Sequence, residues 1–537
     1  MKRNMDFCEL AVFVECSTGS TPTVQTLKKY IDILEQFGYT HLYLGLTDAY
    51  KIEGEPYFNF CRGGYTIQQL QEIDDYAQTK GIELRANVQV LGHLAYMSKY
   101  DCYKDLFDMP EVLMVGKEEV YEFIDKILAT MSTAIKSRTI HIGMDEVWGL
   151  GMGHYLEEHG FTDRRVLLLS HLQRVVEMAK KYGYFCEIWS DMFYRLVQGS
   201  DFNDDGVIPD DIRDSIPEGV RIVHWSYQRQ TEEVLRKQIA QNKALCDTMT
   251  FAGGAWKWHG LAPDNKYSID VTERQLRICT EQGVSRYMTT LWSDAGAHSS
   301  IYSVLPTLFA TAEMACGKTR EEIDKNRFKQ ITGVEFDDFM LLDYLNNPFF
   351  KDIQTVNSRC HWGLLSDLFL GSYDLLLDEH SNEAYAALAE RYEAVQAGEY
   401  QLVFDDFRFY AKVLSIKMNL GVQIRRAYRE GNKALLEQYA KVEIPRMITY
   451  MQEFMQNFKI RWLSENMAFG LEVHHLFYGG QIERWKYVSE RLIEYLADGH
   501  PIDEMEREEL MPSIIPQTDE DRCREMNYRK LISYCGI

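Results

Sequence analysis

The stretch RTIHIGMDEVWGLG, residues 138–151, decides how the rest of the chain is read. Its first half is a short apolar run containing β-branched residues, and its second half breaks up into glycines, the pattern of a buried strand leading into a loop. At the junction stand two neighbouring carboxylates, Asp145 and Glu146, with His141 just before them. Two such groups repel one another, so unequal surroundings raise the proton affinity of one. His141 lies within the strand and reads as a hydrogen-bonded structural histidine. An acidic dipeptide by itself also suits a solvated loop, so its context has to carry the reading.

Working outward, similar apolar runs recur through roughly the first 320 residues: Leu10–Glu15, His41–Leu46, Glu83–Val90, Thr139–Met144, Tyr184–Trp189, Val220–Trp225, Met249–Gly253 and Arg286–Leu291. Between them lie amphipathic segments such as TVQTLKKYIDILEQFG and DRRVLLLSHLQRVVEMAKKYG, each ending in the glycine that a helix C-cap favours. Strands too apolar to have a wet face, alternating with helices eight times, predict an α/β fold of the (β/α)₈ barrel type. A doubly wound sheet is the competing reading, but it seldom needs eight such units in one row. From about residue 320 the texture turns helix-rich, so the expected division is a barrel over 1–320 and an α-helical domain over 321–537. The Tyr, Phe and Leu content of that second part suits its own core or a homodimer interface.

Composition narrows the partners. With 537 residues, 46% hydrophobic and 26% charged, the chain is ordinary globular material long enough for two domains. A formal charge of −23 disfavours nucleic acid and anionic membrane, which require a basic face. No window approaches the roughly 18 apolar residues of a membrane span. The apolar stretch in MKRNMDFCELAVFVECSTGS is short and is interrupted by Glu9 and Glu15, unlike a secretory signal. Eleven cysteines without a CxxC pair fit reduced thiols in a cytoplasmic protein. The histidines are not spaced as metal ligands, and neither metal nor cofactor is expected.

In a parallel barrel the reacting groups project from the C-terminal ends of the strands. The second strand ends in Leu46-Thr47-Asp48, the third in Gly92-His93, the fifth in Trp189-Ser190-Asp191 and the sixth in Trp225-Ser226-Tyr227. The seventh leads into GGAWKWHGLAP with Trp256 and Trp258, and the eighth into Trp292-Ser293-Asp294. Together with HIGMDE these endings, in this order, resemble glycoside hydrolase family 20, the β-N-acetylhexosaminidases, in the branch whose barrel precedes an α-helical domain. The resemblance covers residues 8 to about 317.

That resemblance implies an exo-acting, retaining enzyme acting on an oligosaccharide or glycoconjugate with a terminal N-acetylhexosamine. The substrate's own 2-acetamido oxygen would attack the anomeric carbon, an exception to the two-carboxylate scheme. It implies Glu146 as general acid and then base, Asp145 as the partner of the acetamido N–H, and Asp48 and His93 as a supporting relay. Trp189, Trp225 and Trp292 would wall the sugar site, with Trp256 and Trp258 as further candidates. Tyr227 is the choice for the acetamido carbonyl, against Tyr267 and Tyr287 nearby. Asp191 suits sugar hydroxyls or a helix cap, and His154 the pocket rim or open solvent.

Two departures concern the sugar's far edge. Thr18 stands where the family carries an arginine for the 3- and 4-hydroxyls. After the eighth strand, Ala295 and His298 replace an amide and a glutamate, leaving Asp294 for the 4- and 6-hydroxyls. Thr18, Asp294 and His298 are therefore substrate-binding candidates, and altered sugar recognition is expected: a modified hexosamine, a galacto-configured sugar or an unusual linkage. The alternatives are a non-catalytic carbohydrate-binding or sensor protein on this scaffold, and a barrel glycosidase with an enzymic carboxylate nucleophile about 5 to 5.5 Å from its acid.

Overall fold

The computed structural model describes residues 7–17, 19–198, 208–294, 296–350, 358–371, 374 and 377–506. Eight parallel strands close into a barrel: β1 (Glu9–Glu15), β2 (His41–Gly45), β3 (Glu83–Asn87), β4 (Thr139–His141), β5 (Phe185–Trp189), β6 (Val220–Trp225), β7 (Thr250–Gly254) and β8 (Arg286–Leu291). Each strand neighbours the next in sequence, and β8 closes the ring on β1 with Leu10 opposite Tyr287. All eight lie where the apolar runs predict them, but β3 and β4 stop early, at Asn87 and His141 instead of Val90 and Met144. Between these two strands the register holds at a single pair, Asn87 opposite His141.

Helices α1 (Val24–Phe37), α2 (Ile67–Thr79), α3 (Glu118–Ala134), α4 (Arg164–Lys181), α5 (Asp191–Gln198), α6 (Glu232–Leu245), α7 (Asn265–Glu281) and α8 (Leu305–Met314) wrap the barrel. Local chemistry sets their limits. The Thr23 hydroxyl caps the start of α1, and Gly38 ends it with a left-handed backbone, φ 104°. Thr66 and Gln69 form a reciprocal capping box on α2. One face of α1, from Leu27 through Tyr30, Ile31 and Leu34 to Phe37, is buried against the strands.

The inside of the barrel is filled in layers. Its floor is ionic: Arg85 pairs with Glu9 at 2.8 Å and Glu83 at 2.9 Å, Arg221 with Glu187 at 2.8 Å, and Arg286 with Glu9 at 2.8 Å. Tyr43 donates to Glu187 at 2.7 Å and accepts from Arg85 at 2.6 Å, so the buried Glu187 is fully engaged. Above this lies an apolar layer of Ala11, Phe13, Tyr43, Val223, Ala252 and Met288, roofed by Trp189 and Trp292.

Past the barrel the chain is helical, dominated by α9 (Ser381–Ala394), α10 (Gln401–Arg429), α11 (Ile444–Glu465) and α12 (Leu471–Asp498). Tyr385, Phe404, Phe407, Tyr410, Phe454 and Tyr478 all fill its interior. Arg461 ties this region to the barrel. It pairs with the buried Asp406 and with Glu465 at 3.0 Å, and donates to the backbone carbonyl of His298 at 2.9 Å. Among the described residues no helix is long and apolar enough to cross a membrane.

Removing one partner of a buried ionic lattice leaves the other charges uncompensated. Glu187→Leu should therefore lower the free energy of unfolding by about 3 kcal/mol or more in urea titration. The fully exposed Asp101–Lys104 pair is the control, and Asp101→Asn should leave the urea midpoint unmoved.

Candidate active site

Neighbouring residues on an extended strand point to opposite faces, so Asp145 and Glu146 can share one cavity only if the strand ends before them. This is why β4 stops at His141. The chain then turns through left-handed backbone at Gly143 (φ 69°), Met144 (φ 70°) and Glu146 (φ 51°). Such angles are strained for residues with a Cβ and persist where surrounding contacts impose them. Thr47 and His93, in the loops after β2 and β3, share the feature, with φ 42° and 57°. Two side chains clamp the turn. Gln89 accepts from the Met144 N–H at 3.3 Å and donates to the Asp145 carboxylate at 3.2 Å. Asp191 accepts from the Glu146 N–H at 2.9 Å and from the Trp225 indole at 3.5 Å. A Cβ on residue 143 would run into the Gln89 amide, so glycine is required there.

Both carboxylates open onto a cavity of about 760 Å³ at the barrel mouth. All five candidate tryptophans, Trp189, Trp225, Trp256, Trp258 and Trp292, line it, as do Tyr227, Asp48, His93 and Asp294. Trp225 stacks on Tyr227 with centroids 5.3 Å apart, and Trp256 on Trp258 at 4.0 Å, giving flat apolar walls. Burial pushes the Tyr227 phenol far up, which keeps it a hydroxyl donor. Tyr267 and Tyr287 are buried elsewhere: one accepts from the Arg229 N–H at 2.8 Å, the other donates to Gln275 at 2.7 Å.

His93 Nε2 stands 3.2 Å from the Asp145 carboxylate and 3.9 Å from that of Glu146. The negative charge of Asp145 outweighs desolvation and raises the imidazole to about 10, so it carries a proton at neutral pH. Burial would raise Asp145, but the charge and hydrogen bond of His93, with the Gln89 contact, hold it below the usual carboxylate range. Asp191 goes the other way, pushed up to about 8 by burial and by the charge of Asp145. At Asp294, desolvation by the pocket wall and the charges of Glu15 and Glu146 push upward to about 7, an effect tempered by the solvent that reaches its exposed side chain.

Several expectations need correction. Asp48 does not orient His93. Its carboxylate is gripped by the Arg62 guanidinium, and its backbone carbonyl accepts from Asn59 at 2.6 Å. His298 is buried outside the cavity lining, bonded through Nδ1 to the Tyr478 hydroxyl at 2.8 Å and packed on His361 and His474. Gly296 and Ala297, with φ of 85° and 58°, turn the β8 loop back onto the helical region, which carries the imidazole away from the cavity. Asp191 neither faces the cavity as a hydroxyl ligand nor merely caps α5, because it holds the acid turn. His154 is exposed and lies outside the lining. His141, fully buried, bonds Asn87 at 2.9 Å and packs on Trp189. Thr18 and Ala295 lie outside the described residues.

Several lining residues, Glu15, Arg62, Gln89 and Tyr96 among them, carry no expectation from sequence. Of these four, two left a signal. Glu15 continues the inward row Ala11 and Phe13, and Gln89 the row Arg85 and Asn87, polar side chains at period two in otherwise apolar strands. Arg62 and Tyr96 sit in connections without periodicity. Among the described residues no group of three His, Cys, Asp or Glu side chains could hold a metal ion.

Residues 23–315 match the glycosyl hydrolase family 20 catalytic domain, and residues 337–524 match the glycoside hydrolase 20C C-terminal domain. Hexosaminidase D of Bos taurus is 23% identical over 254 residues, covering 45% of this chain and 67% of that protein. Beta-hexosaminidase 3 of Arabidopsis thaliana is 25% identical over 193 residues, covering 34% of this chain and 36% of that protein, so the match spans about a third of that relative. Among solved structures, the family 20 exo-β-N-acetylglucosaminidase of Vibrio harveyi, in complex with N-acetylglucosamine, superposes with a TM-score of 0.45 at 16% identity. That superposition covers 63% of this chain and 58% of that one.

The charge on His93 is open to measurement. Its ring should remain protonated at pH 8 in ¹⁵N NMR and titrate near 10, and Asp145→Asn should bring the midpoint down towards the ordinary value of about 6.5. A neutral His93 at pH 8 would contradict the pairing.

Proposed function

The chain belongs to glycoside hydrolase family 20, and from that premise we propose that it is an exo-acting β-N-acetylhexosaminidase working by substrate-assisted catalysis. The observation that carries the reading is the turned β4 end, which aims a clamped anion and a proton donor into one tryptophan-walled cavity. Asp145 has one oxygen on Gln89 and the other 3.2 Å from His93, an arrangement suited to a fixed anion. It receives the acetamido N–H and aligns the acetamido oxygen with the anomeric carbon. Glu146 gives its proton to the glycosidic oxygen as the bond from that oxygen to the anomeric carbon breaks and the bond from the acetamido oxygen forms. The resulting oxazolinium cation is balanced by Asp145. Glu146 then takes a proton from water, whose oxygen attacks the anomeric carbon and reopens the ring with net retention. Having the nucleophile within the substrate removes most of the entropic barrier. The charged His93, 3.9 Å away, offsets the negative charge left on Glu146 after the first step.

In this reading residues 1–320 form the catalytic unit and 321–537 brace it. Glu15 and Asp294 line the cavity and would repel a sulfate, so the sugar is a neutral GlcNAc or GalNAc. The nine free thiols among the described residues support a cytoplasmic setting.

On N,N′-diacetylchitobiose, Glu146→Gln should lower kcat by a factor of about 10²–10⁴, with a smaller loss on the 4-nitrophenyl glycoside, whose leaving group needs little protonation. The 6-sulfo-GlcNAc glycoside should be the poorer substrate. Equal turnover of the 4-nitrophenyl glucoside, which has no acetamido group, would refute substrate assistance, and a trapped covalent fluoro-sugar adduct would install a carboxylate nucleophile in its place.

A further inference from the structure

One cation in the cavity wall has no part in the proposed chemistry. Arg62, in the connection between β2 and α2, lines the cavity and is held on three sides. Nε and Nη2 grip the Asp48 carboxylate, and Nη2 also donates to the Ser17 carbonyl at 2.5 Å. The guanidinium carbon lies 3.5 Å from the centroid of the Tyr96 ring. Of the five N–H groups of an arginine, these contacts use the Nε one and the Nη2 pair. The two on Nη1 have no hydrogen-bond partner among the described residues. The segment that carries Arg62 is itself fastened. Thr21 donates to the Gly63 carbonyl at 2.7 Å, Asn59 holds the Asp48 carbonyl, and Gly63 lies so close to Phe469 that a Cβ could not fit between them.

The location of this group gives it meaning. Ser17 and Asp48 follow the ends of β1 and β2, whereas the acid pair follows β4. If Glu146 faces the glycosidic bond, the groups above β8, β1 and β2 meet the opposite edge of the sugar ring. That edge carries adjacent hydroxyls, whose oxygens accept from a planar guanidinium fork. Glu15, buried and accepting from the Ser293 N–H at 2.7 Å, and Asp294 provide acceptors on the same side.

We propose that Arg62 is the substrate-gripping residue of this site, donating through Nη1 to a hydroxyl on the non-reducing edge of the sugar, with Asp48 as the residue that positions it. The proposal rests on the hexosaminidase reading. It assigns to the β2–α2 connection a contact that nothing at the end of β1 supplies among the described residues, and it gives Asp48 a purpose other than a proton relay.

The test measures kcat/KM of the wild-type protein, Arg62→Met and Arg62→Lys on 4-nitrophenyl β-N-acetylglucosaminide and on its 3-deoxy and 4-deoxy analogues. The wild type should lose about 10- to 100-fold when the gripped hydroxyl is removed, the range of a charge-assisted hydrogen bond. Arg62→Met should lose a similar factor on the parent substrate and no longer distinguish it from that analogue. A loss that is uniform over the three substrates, or no loss, overturns the proposal. Should Arg62→Met fail to fold, the same ratio is read from Arg62→Lys, which keeps the charge but not the fork and should distinguish parent from analogue by less than the wild type does. A ratio unchanged from wild type overturns the proposal there too. If the wild type cleaves these glycosides and the variant ratio is unchanged, only the role of Arg62 falls. If it cleaves no 2-acetamido glycoside at all, the underlying reading falls as well.

Discussion

Two consecutive side chains cannot face the same cavity from an extended strand, and the site of this protein is built around breaking that constraint. The cost is concentrated at the end of β4, where Met144 and Glu146 take left-handed backbone of a kind that costs of the order of 1–3 kcal/mol per residue. The compensation comes from neighbouring strands, Gln89 beyond β3 and Asp191 beyond β5. The same turn thins the β3–β4 seam to one register pair, so the ring is least continuous beside the acid pair. The placing of both carboxylates in one cavity and the local irregularity of the barrel therefore share one origin.

The fold was legible because eight apolar runs with helical spacers leave few other ways to bury the same faces, and every strand lies where those runs occur. The tryptophans and the acid pair were legible because strand ends are predictable positions, and placement alone brings them to one mouth. What could not be read depends on contacts distant in sequence. Asp48 follows its strand as expected, yet its partner is set by a connection whose path has no periodicity. His298 stands four residues past Asp294, but the β8 loop folds back and delivers it to Tyr478, 180 positions along the chain. Gln89 was hidden in plain view, a polar residue continuing an inward row that ended later in sequence than in structure.

The helical region explains both discrepancies. Arg461 holds the backbone at His298, and Ser300 donates to Glu465 at 2.9 Å, so the loop after β8 is shaped from outside the barrel. At the turn between α11 and α12, Met467 donates to the Thr21 carbonyl at 2.8 Å, and Phe469 packs on Gly63 beside Arg62. Burying Arg461 between two carboxylates contributes little net stability compared with an apolar core, but it fixes orientation. The helices thus act as a jig for the segments after β8 and beside Arg62 that border the cavity.

Among the described residues, the ionic lattice of Arg85, Arg221, Arg286, Glu9 and Glu187 closes the floor of the barrel beneath the cavity at its mouth. A polymer cannot thread a blind pit. Each cut demands that the shortened chain withdraw fully before the monosaccharide left beneath it can escape. On the proposed reading, trimming is therefore distributive and never processive, and the liberated sugar, last to leave, competes directly with the next chain end to arrive.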